Sequence, residues 1–344
     1  MINKNIRYTL GIAAGKGGVG KSTVTVNLAL GLQKLGYAVG ILDADIYGPS
    51  LNRLLPLETP PAQDGESIVP AVSKGIKLIS LSHFREDGEA LAVRAPIANR
   101  VILQFLQDVK WGELDCLLID FPPGTGDVQL TLLQEAKIHA ALLVTTPQEV
   151  ALLDVRRAAT MFDQMKTPLL GVVENMSYFV DPAGARHYPL GQGGGKRLAQ
   201  ERGLPLLGEI PMDGALAACS DAGVSIYQTY PETAIARSLE QLVTTVRDQL
   251  YALEDQSVVI RSLFQKNGTS FTIEWSDGKV SDYTLADIQK LCPCVRCQEK
   301  PTQIESEVQI LNMTHVGQYA LQFEFSSGCS KGVYPIDLLR RFVT

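Results

Sequence analysis

A chain of 344 residues, 45% hydrophobic and 20% charged, has the balance of a globular protein and length enough for two domains. The formal charge is −6, with nine basic and nine acidic side chains in residues 258–344, so neither part carries the basic surplus of a nucleic-acid binder. No apolar run reaches the roughly 18 residues of a membrane span. The opening MINKNIRYTL has neither an apolar h-region nor a small-residue cleavage site, from which we expect a cytoplasmic protein with no membrane partner.

In chain order, Tyr8 to Ala14 reads as a buried strand. It leads into Gly15-Lys16-Gly17-Gly18-Val19-Gly20-Lys21-Ser22-Thr23, which fits the G-x-x-x-x-G-K-[ST] phosphate loop. In that pattern glycines let backbone N–H groups approach phosphates, Lys21 reaches the β and γ oxygens, and the Ser22 hydroxyl joins Mg²⁺. A helix follows from Ser22, with Leu28, Leu32 and Leu35 at helical spacing and Gly36 as its stop, so its positive N-terminus also faces the phosphates. Further strands are expected at Val39–Leu42, Ile76–Leu81, Cys116–Ile119, Ala141–Val144 and Leu169–Val173, each ending in a polar, small or acidic residue. Helical patterns lie between them, through Ile97, Val101, Phe105 and Val109, through Leu152, Val155, Ala159 and Phe162, and over Ala234–Leu253. Residues 56–70, rich in Pro, Asp and Gly, read as a surface connection. The expected fold class is α/β: a doubly wound, mostly parallel sheet of the P-loop NTPase type over residues 1–253, followed by a small α+β metal-binding domain over 258–344.

Ligands in such sheets sit beyond the carboxyl ends of the strands, where the polar motifs of this chain fall. Asp120 ends one strand, as a carboxylate holding the Mg²⁺ shell would, and Gly124 in the following Pro-Pro-Gly-Thr-Gly is placed to read a γ-phosphate. Asp43 and Asp45 end another, and one of them can orient or deprotonate the attacking water; Asp45 is the favoured candidate. No Asn-Lys-x-Asp element for reading guanine is present. The expected nucleotide is therefore ATP, with Asn175 and Pro211-Met212 beside the base.

Lys16, which phosphate cradling does not require, resembles the additional lysine of the deviant Walker A class that includes MinD, ParA, ArsA and the nitrogenase iron protein. The loop, Asp43-Ala-Asp-Ile-Tyr-Gly-Pro-Ser50, Ile119-Asp-Phe-Pro-Pro-Gly-Thr-Gly-Asp127, Thr145-Thr-Pro-Gln-Glu-Val-Ala-Leu152 and Val173-Glu-Asn-Met-Ser-Tyr-Phe179 together resemble the Mrp/ApbC family of iron–sulfur cluster carrier ATPases. The resemblance spans about residues 8–250. It implies an ATP-hydrolysing homodimer joined through the nucleotide face that delivers an iron–sulfur cluster, of the [4Fe–4S] type, to apo-proteins and works with scaffold proteins. It also implies that Lys16 reaches the partner's nucleotide and that Asp45 and Asp120 take switch and Mg²⁺ roles, so the expected catalytic residues are Lys16, Lys21 and Asp45. The family usually carries a Cys-x-x-Cys pair after Asn-Met-Ser-Tyr-Phe, but here the chain reads Val180-Asp-Pro-Ala-Gly-Ala-Arg-His-Tyr188, more like the plastid high-chlorophyll-fluorescence branch. Of the remaining cysteines in this part, Cys116 lies in a buried-strand pattern, and Cys219 is either a ligand or a small packing residue on a helix.

Glu254 to Ser257 reads as a polar linker to a second module. Phe271–Trp275 with Ser276-Asp-Gly-Lys279 reads as a strand and hairpin turn, and Tyr319–Phe325 as another strand. The stretches around Trp275, Asp282-Tyr-Thr-Leu, Leu291-Cys-Pro-Cys-Val-Arg-Cys297 and Val316–Leu321 resemble the N-terminal domain of gamma-butyrobetaine hydroxylases. That resemblance implies a metal site of C-x-C-x-x-C plus a distant His. At the place of the His stands Cys329, in Ser327-Gly-Cys, so Cys292, Cys294, Cys297 and Cys329 can form an S₄ site for Zn²⁺ or an iron–sulfur cluster, with His315 as a competing ligand. The alternative function is a MinD/ParA-like positioning or scaffold ATPase with a structural zinc module.

Overall fold

The computed structural model describes residues 5–46, 48, 51–84, 95–257, 260–267, 269–299, 308–316 and 320–341. Two compact units divide between Leu250 and Tyr251.

In the first unit β1 (Ile6–Ala14) runs into the phosphate loop and α1 (Lys21–Lys34), then β2 (Val39–Asp43) and the short α2 (Leu51–Leu54). The hairpin of β3 (Ala62–Asp64) and β4 (Ser67–Val69) precedes β5 (Ala71–Ser73), β6 (Ile76–Ser80) and α3 (Ala95–Asp108). There follow β7 (Leu114–Asp120), α4 (Asp127–Glu135), β8 (Ala140–Thr145), α5 (Glu149–Gln164) and β9 (Leu169–Glu174). The hairpin of β10 (Phe179–Val180) and β11 (Arg186–His187) leads to α6 (Gly194–Arg202), β12 (Leu206–Glu209), α7 (Gly214–Ala222), α8 (Ile226–Thr229) and α9 (Ala234–Ser257), of which the residues to Leu250 belong to this unit.

One eight-stranded sheet takes the order β12-β9-β8-β1-β7-β2-β6-β5, parallel except for the edge strand β5. β1, β2, β7 and β8 are buried along almost their whole lengths, which is why they read as continuous apolar runs rather than alternating ones. Helices cover the sheet, and Phe121 meets Phe162 of α5 at 5.6 Å between ring centroids inside the core. Two sequence expectations change. The stretch 56–70 contains the β3–β4 hairpin rather than a plain connection, and Glu254 to Ser257 is the last turn of α9 rather than a linker.

The second unit holds two three-stranded antiparallel sheets, β13 (Ile260–Asn267), β14 (Ser270–Trp275) and β15 (Val280–Thr284), then β16 (Ile310–Val316), β17 (Ala320–Phe325) and β18 (Val333–Pro335). The helices α10 (Leu285–Lys290), α11 (Val295–Glu299) and α12 (Ile336–Arg341) complete it. Phe271, Trp275, Phe323, Tyr334 and Leu339 form its core. The expected strand from Tyr319 begins at Ala320; Tyr319 itself, with Gly317 and Gln318, lies outside the described residues, as do Tyr47, Pro49 and Ser50 of the Asp43–Ser50 motif.

Candidate nucleotide and metal sites

Parallel pairing in register brings the polar strand ends together. Asp43 of β2 lies opposite Asp120 of β7 and Ser80 of β6, so side chains distant in sequence share one edge of the sheet. Asp120 is fully buried and saturated with donors: Lys21 Nζ at 2.6 Å, Ser22 Oγ at 2.6 Å and Thr25 Oγ1 at 2.6 Å. Sequence reasoning missed Thr25, although it stands one helical turn after Ser22 and therefore faces the same carboxylate. Burial, with the Asp120 carboxylate adding to it, pushes Asp43 up to about 7, while Ser80 Oγ donates to it at 2.8 Å and the Asp45 N–H at 3.0 Å.

A cleft of about 520 Å³ opens over this edge, lined by the phosphate loop from Lys16 to Thr23 together with Asp45, Gly48 and Pro123. Lys16 and Asp45 are half-buried and Lys21 is buried in this lining. Gly15 permits a close approach, because a Cβ there would lie 2.2 Å from the backbone of Asp154 and Val155 in α5. Gly18 and Gly20 have φ of 81° and 83°, a region that disfavours any side chain. Gly124 donates its N–H to the Ala14 carbonyl at 3.1 Å, so reading a γ-phosphate requires that bond to open. Asn175 is only 5% exposed and donates Nδ2 to the Val19 carbonyl at 2.8 Å, while Pro211 is buried at the end of β12; neither belongs to the lining of this cleft.

The position of the missing cysteine pair is the β10–β11 hairpin. Asp181 holds its turn, accepting from the Ala183 and Ala185 N–H groups at 2.9 Å each and pairing with His187 at 2.7 Å. Cys116 is buried in β7, where burial pushes its thiol up to about 12. Cys219 is 2% exposed on α7, which agrees with the packing reading.

In the second unit Cys292 follows α10, Cys294 precedes α11, Cys297 lies in α11, and Cys329 sits between β17 and β18. Their sulfurs all lie within 4.8 Å of one another, with Cys329 at 3.5 Å from Cys294 and 3.8 Å from Cys292. A tetrahedral ion with metal–sulfur bonds of about 2.3 Å sets its ligands about 3.8 Å apart, so these four thiols fit one Zn²⁺-sized ion. A four-iron cluster instead puts each thiolate on a different iron and spaces the sulfurs more widely. Two features hold the distant Cys329 loop in place. Gln289 donates Nε2 to the Ser327 carbonyl at 2.6 Å, and Gly328 adopts φ 88°. Gly332 has no room for a side chain, since a Cβ would lie 2.7 Å from Cys292 Sγ. His315 is on β16 opposite Leu321, and its side chain lies outside the described ones.

A phosphate loop joining a buried strand to a helix, a buried carboxylate at the register partner of Asp43 and a second lysine in the loop define a P-loop NTPase of the deviant Walker A class. Residues 5–247 match the family described as ParA, NUBPL iron-transfer P-loop NTPase, and the chain belongs to that family. Residues 263–340 match the gamma-butyrobetaine hydroxylase-like N-terminal family. The chain is 45% identical over 248 residues to the iron-sulfur cluster carrier protein of Synechocystis sp., covering 70% of each. It is 41% identical over 249 residues to the carrier protein of Escherichia coli K12, covering 72% of this chain and 68% of that one. With the chloroplastic Fe-S cluster assembly factor HCF101 of Oryza sativa it shares 42% over 260 residues, 74% of this chain and 48% of the rice protein. Among solved structures, the nucleotide-binding protein of Archaeoglobus fulgidus in complex with ADP is 43% identical, with TM-score 0.57 over 64% of this chain and 87% of that one. The cell division ATPase MinD of Pyrococcus furiosus, 23% identical with TM-score 0.53 over 70% and 99%, shares the fold. Among the described residues no helix is long and apolar enough to cross a membrane.

Proposed function

We propose that this chain is an ATP-dependent iron–sulfur cluster carrier that binds and hydrolyses ATP and passes a cluster to apo-proteins, working as a cytoplasmic homodimer joined through the nucleotide face. The observation that carries this reading is the kinship at 45% identity with an iron-sulfur cluster carrier protein, joined to an intact phosphate loop facing Asp45 and Asp120. MinD likeness supports the fold alone and gives no ground for a positioning role.

Ser22 and Asp120 bring together two of the hard oxygen donors that Mg²⁺ takes, and an ion held there would replace their hydrogen bond and the Lys21 contact to Asp120. Bound there, the ion would neutralise charge developing on the phosphates. Lys21 contacts the phosphates of its own nucleotide, Lys16 those of the partner's, and Asp45 orients the attacking water. The S₄ set fits Zn²⁺, which would tie the Cys329 loop to the segment carrying Cys292, Cys294 and Cys297. The cluster is cargo. Cys116 and Cys219 are buried, so among the cysteines of this chain only the S₄ set, in which Cys292 is buried and Cys294, Cys297 and Cys329 are half-buried, competes as a cargo site with a site between subunits.

Anaerobic purification with elemental analysis, iron and sulfide reconstitution, and transfer to an apo-ferredoxin test the proposal. ATP hydrolysis together with cluster transfer is the expected result. One zinc per chain assigns the S₄ site a structural role and places the cargo between subunits; several irons with matching sulfide assign the cargo to that site. ATP turnover with no transfer under either metal content would refute the carrier reading.

A further inference from the structure

The amide of Asn175 reaches back from the end of β9 to the phosphate loop, and its 2.8 Å bond ends on the Val19 carbonyl, inside the cradle rather than on the sheet. In a trans peptide the C=O and the N–H of the next residue point in opposite directions. Drawing the Val19 oxygen back toward Asn175 therefore turns the Gly20 N–H the other way, into the cleft that Gly20 lines. A flip of this one peptide would aim a carbonyl oxygen at the phosphate site. Gly20 can make such a flip easily, because a glycine at φ 83° has both hands of backbone conformation open to it.

Asn175 is itself held firmly. Its N–H donates to the Thr145 carbonyl at 2.8 Å, it is 5% exposed, and Val19 is 2% exposed. The fit to the loop is close: a Cβ on Gly20 would sit 2.2 Å from Asn175 Nδ2, so the pair excludes any side chain at position 20 independently of φ. We propose that Asn175 is a positioning residue of the phosphate loop, locking the Val19–Gly20 peptide with its N–H toward the nucleotide phosphates. It thereby acts on the triphosphate, whatever it does at the base. The inference rests on the nucleotide-binding reading above.

The test compares Asn175→Ala and the isosteric Asn175→Asp with the parent in the full chain. Binding is measured calorimetrically with MgATP, with MgGTP and with magnesium tripolyphosphate, which has no base. Without the bond the Val19–Gly20 peptide is free to flip, and affinity falls with the fraction of loops left with the N–H toward the phosphates, about tenfold for one buried hydrogen bond. Within each variant all three ligands should weaken by the same factor, that factor being larger in Asn175→Asp than in Asn175→Ala because the carboxylate repels the Val19 oxygen. Thermal unfolding of each variant alongside separates a loosened loop from a failed fold. If ATP weakens while tripolyphosphate does not, Asn175 reads the base and the proposal is wrong; it is equally wrong if folded variants bind all three as the parent does. Should the parent bind neither ATP nor tripolyphosphate, the nucleotide reading fails first.

Discussion

Asp120→Asn should destabilise the first unit by about 3 kcal/mol, even though the side chain keeps its shape. Asp120 is fully buried and Lys21 is 7% exposed, with the two 2.6 Å apart, so neutralising the carboxylate strands an ammonium away from water. Removing one partner of such a buried pair costs about 3–5 kcal/mol. The amide nitrogen also turns a donor toward one of Lys21, Ser22 or Thr25, which adds to the loss. Relief of the repulsion from Asp43 offsets part of this, leaving about 3 kcal/mol, or roughly 6–12 °C in Tm for a unit of this size. Trp111 lies in the core of this unit, and the other tryptophan of the chain, Trp275, lies in the second. Fluorescence of a Trp275→Phe background therefore follows the first unit alone during urea unfolding. Lys21→Met should be destabilising too, but the double variant should fall short of the sum by about 1–3 kcal/mol, because neither stranded charge remains. Additive single effects, or an Asp120→Asn protein within about 1 kcal/mol of its parent, would refute the reasoning that this pair is a coupled buried element.

Lys21→Ala should abolish ATP binding, whereas Lys16→Ala should retain binding and lower turnover by about 10²-fold or more, measured as phosphate release; wild-type turnover in Lys16→Ala would remove the intersubunit role. Cys329→Ala should release the metal and loosen the second unit without changing ATP affinity, while Cys219→Ala, altering a residue 2% exposed, should keep full metal content by elemental analysis. Asp277 bonds to Arg340 at 2.6 Å, which holds its carboxyl below the usual carboxylate range. A depressed pKa gives stability that is present above the unfolded-state value and lost as pH falls through the folded one. Asp277→Asn should therefore cost about 1 kcal/mol at neutral pH, and the gap to the parent in urea melts should close as the pH is lowered to acid.

The loop Gly15–Ser22, the apolar runs of β1, β2, β7, β8 and β9 and the three closely spaced cysteines were legible because each is local: a period, a glycine pattern or a ligand spacing carries the chemistry within a few residues. Three matters depended on the tertiary structure. Register between parallel strands made Asp43 the buried neighbour of Asp120 and left Asp45 in the lining of the cleft, and a one-residue shift along a strand would have turned the Asp43 side chain to the other face. The Gly124 bond to Ala14 and the Asn175 bond to Val19 join segments that no sequence period connects. Sequence also left the S₄ site open between one ion and a cluster, because spacing counts ligands without measuring the space between them. The fold sets four sulfurs within 4.8 Å, and that separation is what favours a single ion, since distance across a metal site is decided by packing and only the ligand types by the chain.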